Sequence, residues 1–335
     1  MDTGGTDTGG TAAGVADPPT SVGPFDLEAR IGKGAMGVVW RAVHRATGRR
    51  VAIKIVGERV GGDPLGVGLF LDEVRAMAAL HHPGVAAIHD YGELGDGSPF
   101  LAMELVTGGS LWEWQGRLDW PTLRHVLLRL LDALSHAHAR GLVHRDLKPA
   151  NVLVSEDLVE VKLTDFGLAA SLDVDAGVPT VEAERRVFGT PAYLAPEQIQ
   201  RRWRDYGPWT DLYALGCLAW ALATGQPPFR RPGGSLLDVL RAQLETPPDA
   251  FAPRGTTPPA FEGWLRTLLR KAPGERFQCA ADAAWALRGL EGFVASSRGD
   301  AFEPEALDVT VIGSQSVEAK SVEAQPAEAQ PVEPQ

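Results

Sequence analysis

The hydrophobic pattern of this chain changes period once, near residue 106, and that change limits what it can fold into. Before it, apolar residues alternate as they do in strands: 25–32 (FDLEARIG), 37–43 (GVVWRAV), 50–56 (RVAIKIV), 85–93 (VAAIHDYGE) and 99–105 (PFLAMEL). One helical stretch, 68–82 (GLFLDEVRAMAALHH), interrupts them, with Val67, Phe70, Leu71, Val74, Met77 and Ala78 at helical spacing. After Gly108-Gly109 the pattern turns helical. Segment 121–141 opens on Pro121, suited to a first turn, and stops at Gly141. Further helices are predicted over 208–224, 235–245, 259–271 and 280–290. The fold class expected is α+β and bilobal. A small antiparallel-sheet lobe with one helix (23–106) precedes a larger, mainly helical lobe (107–293), with a cleft between them.

The chain has 335 residues, 44% of them hydrophobic, enough for one large core or two lobes. Its net charge of −11 is uneven. Residues 1–22 carry three Asp and no base, and residues 301–335 carry seven acids and one Lys, which leaves the body near neutral. A nucleic-acid partner is therefore not expected. The ends repeat, DTGGT twice over 2–11 and four variants of SVEAK over 316–335, and composition marks 1–22 as disordered and 294–335 as an acidic low-complexity tail or linker. Two cysteines, Cys217 and Cys279, are too few for a disulfide scaffold and suit a reducing cytosol. The most apolar run, 214–223, is too short to span a bilayer, and the N-terminus lacks a leader pattern, so a cytoplasmic chain is expected.

Four stretches carry chemistry. Residues 144–151 read HRDLKPAN between two strand-like apolar runs, GLV and VLV. Asp146 could take a proton from an attacking hydroxyl, and Lys148 could neutralise a group in transfer. Asn151, with Asp165 of the DFG at 165–167, offers oxygens to a hard cation. Residues 32–37, GKGAMG, are a G-x-G-x-x-G that by itself is only a tight turn. The strand-like VVWRAV that follows argues for a glycine hairpin between antiparallel strands, neither a dinucleotide fold nor a Walker loop. Such a hairpin brings backbone N–H groups close to phosphates. Lys54, in VAIK, is an ordinary surface lysine unless a counter-charge such as Glu73 holds it in the lobe. Charge neutralisation, a metal and a base to orient the nucleophile are what phosphoryl transfer requires.

With GKGAMGVV, VAIK, HRDLKPAN, DFG and APE in that order, joined by GTPAYLAPE (189–197), DLYALG (211–216) and PGERF (273–277), the chain resembles the eukaryotic-like protein kinases, bacterial Ser/Thr kinases above all, over roughly 25–290. The resemblance implies a kinase domain over 23–293, with Asp146 as catalytic base and Lys148 at the γ-phosphate. Asn151 and Asp165 would bind Mg²⁺, with Mn²⁺ an alternative. Gly32, Gly34, Gly37 and Val39 would cover ATP, and Lys54, clamped by Glu73, would hold its α- and β-phosphates. Met103 falls at the gatekeeper position, the backbones of Glu104 and Val106 would bond adenine, and Ala52 and Leu153 belong to the same nucleotide site. Glu197 with Arg276, and Asp211, match structural braces. Lys148 and Thr190 match kinases acting on Ser and Thr.

The implied function is ATP-dependent phosphorylation of protein Ser/Thr hydroxyls, with autophosphorylation through a transient homodimer. The alternative is a pseudokinase-type nucleotide-binding scaffold, which would be expected to lack Lys54, Asp146 or Asp165; all three are present. Arg145 before the base implies a charge-controlled activation segment. Where related bacterial kinases place accepting threonines, this chain has Glu182 and Glu184, whose carboxylates could stand in for phosphate; Thr180 or Ser171 is the alternative acceptor. His136 and His138 point different ways on a helix, so no metal site is expected of them, and the nine Trp are scattered, those at 112, 114, 209, 220, 264 and 285 being expected to pack in helices.

Overall fold

A computed structural model describes residues 20–34, 37–56, 64–166, 191–230 and 233–290, without the side chains of 64–66 and 69. The expected disordered ends, apart from residues 20–22, lie outside the described residues, as do Ser171, Thr180, Glu182, Glu184 and Thr190.

Strands β1 (Ser21–Val22), β2 (Phe25–Gly34), β3 (Gly37–His44), β4 (Arg50–Val56), β5 (Ile88–Glu93) and β6 (Pro99–Glu104) form one antiparallel sheet in the order β1-β2-β3-β4-β6-β5. The two-residue period explains its faces. Val51, Ile53, Phe100 and Ala102 join Val22, Phe25 and Ala42 in a cluster on one side. The intervening Ala52, Lys54, Leu101 and Met103 point the other way, with Ala52 paired to Met103 and Lys54 to Leu101. Helix α1 (Pro64–Ala78) covers β5 and β6 with Val67, Phe70, Val74 and Met77, all buried. It ends at Ala78, before the expected residue 82: the Leu80 N–H closes a tighter turn onto the Met77 carbonyl at 2.9 Å, and Pro83 disfavours helical geometry at His82.

The larger lobe is built on α4 (Pro208–Thr224), which is buried from Thr210 to Ala223. A helix apolar on every side can only be central. Around it lie α2 (Trp120–His138), α6 (Pro259–Leu268) and α7 (Ala280–Arg288), and α5 (Leu236–Glu245) packs against short α3 (Pro196–Ile199) and the turn at 191–193. Asp119 caps α2 by accepting from the Thr122 N–H at 3.1 Å, and Gly225, with φ of 93°, ends α4. Helix α6 stops at Leu268, short of the expected 271. A small hairpin, β7 (Val152–Val154) with β8 (Val161–Leu163), faces the cleft. It is stitched to the smaller lobe where the Ala86 N–H donates to the Leu163 carbonyl at 2.9 Å. Of the two apolar runs flanking HRDLKPAN, only VLV is a strand; 141–143 is irregular, its Leu142 N–H turned back onto the α2 carbonyl of Ala137 at 3.1 Å. Among the described residues no helix is long and apolar enough to cross a membrane.

Candidate active site

The turn between α2 and β7 holds an uncommon backbone. Arg145 has φ of 62°, in the left-handed region that non-glycine residues rarely occupy, at a cost of order 1–3 kcal/mol. Asp211, buried in the first turn of α4, supports it. One carboxylate oxygen accepts from the Arg145 N–H at 2.9 Å, the other from the His144 N–H at 2.7 Å, and His138 Nε2 lies 2.7 Å from that second oxygen. From α3, Gln198 Nε2 donates to the Arg145 carbonyl at 2.7 Å. A buried carboxylate whose two oxygens are both engaged in this way keeps a fixed geometry.

That turn presents Asp146. Its Oδ2 accepts from Lys148 Nζ at 2.7 Å and from Asn151 Nδ2 at 3.0 Å, and Asn151 Nδ2 also reaches the Asp146 carbonyl at 2.9 Å. With Oδ2 held by two donors, Oδ1 is the oxygen left to take a proton. Asn151 has turned its nitrogen toward Asp146, so its Oδ1 is the end that can meet a cation.

Asp165 follows β8 with φ of 59°, and its Oδ1 accepts from Lys54 Nζ at 2.7 Å across the cleft. The ion pair defined for Lys54 is therefore to Asp165; the clamp by Glu73, half-buried on α1, stays a proposal. His144 ties the two motifs together. Its Nε2 donates to the Thr164 carbonyl at 3.0 Å, which makes Nδ1 the acceptor for the Asp146 N–H at 3.3 Å, and its ring packs 4.4 Å from that of Phe166. The Thr164 N–H, in turn, donates to the Asn151 carbonyl at 3.0 Å, so Asn151 and Asp165 emerge side by side. One carboxylate and one amide oxygen, close together, suit a small hard cation that takes its remaining ligands from phosphate and water.

Above them the glycine hairpin is as expected: Gly34 pairs with Gly37 and Gly32 with Val39, across antiparallel β2 and β3. Gly37 admits no side chain, since a Cβ there would fall on the Ile55 carbonyl oxygen of β4. On the cleft's inner edge are Ala52, Met103 and Leu153, with the Thr164 hydroxyl 3.5 Å from the Met103 sulfur. The Glu104 N–H is already bonded to the Ala87 carbonyl at 2.8 Å, which leaves the carbonyls of Glu104 and the peptide groups up to Val106 to meet a base. The Glu104 carboxylate bonds Lys162 Nζ at 2.8 Å, joining β6 to β8 across the lobes.

Several contributors escaped the sequence reading. Ile31, at the bulge between Arg30 and Gly32 beside the glycine hairpin, is a large apolar side chain left 48% exposed. His138, considered only as a metal ligand and set aside, is a partner of Asp211, while the His136 ring lies tilted against that of His82 at 4.8 Å. For Ile31 the signal was its place directly before Gly32; for His138 and Gln198 no local pattern existed.

The lower part of the site is anchored by Glu197 and Arg276, whose side chains are both 0% exposed and joined by two hydrogen bonds of 2.8 and 2.9 Å. The Thr210 hydroxyl donates to the same carboxylate at 2.9 Å. Paired and fully bonded, these charges hold α3, which follows the turn Pro191–Tyr193, against α4.

The protein kinase domain model matches residues 25–284. Serine/threonine-protein kinase PknA of Mycobacterium tuberculosis is 38% identical over 279 residues, covering 80% of this chain and 62% of PknA. PknL of the same organism is 35% identical over 272 residues, 79% of this chain and 66% of PknL. The Myxococcus xanthus kinase pkn3 is 34% identical over 260 residues, 75% of this chain and 47% of pkn3. The chain thus spans less than two thirds of the length of these relatives. The crystal structure of the M. tuberculosis PknI kinase domain, in a mutant form, superposes with a TM-score of 0.59 and 25% identity, covering 82% of this chain and 99% of that domain. A glycine hairpin over a lysine–aspartate pair, a braced aspartate and a buried Glu197–Arg276 anchor, set in the two-lobed fold, agree with the match over 25–284: the chain belongs to the protein kinase family.

Proposed function

We propose that this chain is an ATP-dependent protein serine/threonine kinase. The observation that carries the reading is Asp146, its Oδ2 pinned by Lys148 and Asn151 and its turn braced by Asp211, opposite the Lys54–Asp165 pair. Lys54 orients the α- and β-phosphates of the nucleotide, and the backbone at Gly32, Gly34 and Gly37 covers them. The hydroxyl of a Ser or Thr side chain attacks the γ-phosphorus while the bond to the β–γ bridging oxygen breaks and ADP leaves. Asp146 Oδ1 orients that hydroxyl and receives its proton. Lys148, already beside Asp146, neutralises charge on the phosphoryl group in flight. Asn151 and Asp165 would hold Mg²⁺, which supplies further neutralisation between the phosphates. Positioning and fixed charge account for most of the catalysis in such a transfer, and this turn provides both.

The test is transfer of labelled γ-phosphate to a generic basic protein and to the chain itself, with Asp146→Asn as the blank. Label on Ser or Thr in the wild type and none in the variant supports the reading. Nucleotide binding without transfer would favour the scaffold alternative instead.

A further inference from the structure

The Asp146 N–H donates to the His144 carbonyl at 2.8 Å, across the single residue Arg145, whose φ is 62°. A three-residue turn closed in this way, with a positive central φ, is the rare and strained form of the γ-turn. Two peptide planes meet at Arg145, and the strain persists only where the surroundings hold both. The plane on the His144 side is held at its N–H, which donates to Asp211 Oδ1 at 2.9 Å. The plane that carries Asp146 spends its N–H inside the turn itself. Its carbonyl is the group left to be held from outside, and among the described residues the donor to it is Gln198 Nε2, at 2.7 Å.

Gln198 reaches the turn from a fixed base. Its Oε1 accepts from the Ala195 N–H at 3.0 Å, so the nitrogen is the end turned toward Arg145. Its neighbour Glu197, fully buried, is bonded to Arg276 through both carboxylate oxygens, which locks short α3 to the helical lobe directly beside the donor. We propose that Gln198 is a positioning residue for the proton-accepting step: by holding the Arg145 carbonyl it keeps the strained turn set, and with it the aim of Asp146 Oδ1 at the attacking hydroxyl. The proposal rests on the kinase reading above. The two bonds of this amide can be separated by substitution. Glutamate keeps an acceptor for the Ala195 N–H but turns a lone pair toward the Arg145 carbonyl. Lysine keeps a donor for that carbonyl, on a longer and flexible stem, and gives up the bond to Ala195. A role confined to shaping α3 favours glutamate, and a role in the turn favours lysine.

The experiment is single-turnover transfer from ATP to a serine peptide by the wild type, Gln198→Glu and Gln198→Lys, with ADP affinity, peptide KM and melting temperature recorded for each. In Gln198→Glu the transfer rate is expected to fall about tenfold, because a small misalignment of a reacting group is costly. ADP affinity and peptide KM should stay within about twofold, and the melting temperature within about 3 °C. Gln198→Lys should recover most of the lost rate. A rate in Gln198→Glu within about twofold of the wild type, a lysine variant no faster than the glutamate variant, or a loss that tracks the melting temperature would overturn the proposal. Should Gln198→Glu fail to fold, Gln198→Met, which loses both bonds, is compared with Gln198→Lys, and equal rates in those two overturn it. Failure of the kinase reading is separable, since the wild type would then transfer to no peptide, before any variant is compared.

Discussion

Arg276→Met removes a side chain whose every donor is occupied. Nε bonds the Arg270 carbonyl at 2.7 Å; one terminal nitrogen bonds Glu197 at 2.8 Å and the Trp209 carbonyl at 3.0 Å; the other bonds Glu197 and the Lys271 carbonyl, both at 2.9 Å. All five guanidinium N–H groups are used. Without the guanidinium, Glu197 is a fully buried charge with only the Thr210 hydroxyl, and breaking a pair of this kind costs about 3–5 kcal/mol. Three backbone carbonyls also lose a donor, which moves the expectation toward the upper end, about 5 kcal/mol. For a domain of this size each kcal/mol is about 2–4 °C, so the melting temperature should fall by about 10–20 °C. Thermal unfolding followed by circular dichroism measures it. The double variant Arg276→Met/Glu197→Leu should recover much of the loss, because no unpaired charge remains. A fall of less than about 3 °C in the single variant, or a double variant no better than it, would refute the argument.

Three other outcomes are expected. Lys54→Met should abolish phosphoryl transfer yet shift the melting temperature by only about 2–4 °C, since Asp165 at 22% side-chain exposure can turn to water; near-normal turnover would remove Lys54 from the site. Burial pushes the Cys217 thiol from about 9.0 up to about 12, so in the native protein a thiol reagent at neutral pH should label Cys279 and reach Cys217 only after unfolding. The sign for stability follows: the folded state keeps this proton where the unfolded chain loses it, so its contribution is complete below about pH 9 and is lost as pH rises toward 12, a slope that Cys217→Ala should flatten in a pH series of melting temperatures. A chain trimmed to residues 21–299 should melt and transfer phosphate like the full chain, and a sharp loss of either would contradict the compositional reading of the ends.

Much of the fold was legible because its signals are local. Strand alternation places Ala52 and Lys54 on the same face as Met103, and the expected helix over 208–224 is α4, Pro208–Thr224, because a long apolar run between Gly207 and Gly225 has little choice. The motif spacings likewise brought Asp146, Lys148 and Asn151 into mutual contact, as a turn of that length must. What stayed hidden depends on residues distant in sequence. Lys54 meets Asp165 from 111 residues away, and no periodicity encodes that separation. The same holds for His138 with Asp211 and for Gln243 with Pro191 and Ala192. A buried Gln on an amphipathic helix reads in sequence as a solvated one. Only the packing of α5 against the 191–193 turn distinguishes the two.

In the proposed transfer Asp146 Oδ1 takes the proton from a protein hydroxyl while Oδ2 is held by Lys148 and Asn151. The most direct measurement is single-turnover transfer from ATP to a serine peptide by the wild type and by Asp146→Asn, with ADP affinity determined for both. ADP affinity should be equal and the transfer rate lowered by at least about 100-fold in the variant, as for loss of a general base. Equal transfer rates at equal nucleotide affinity would contradict that role of Asp146.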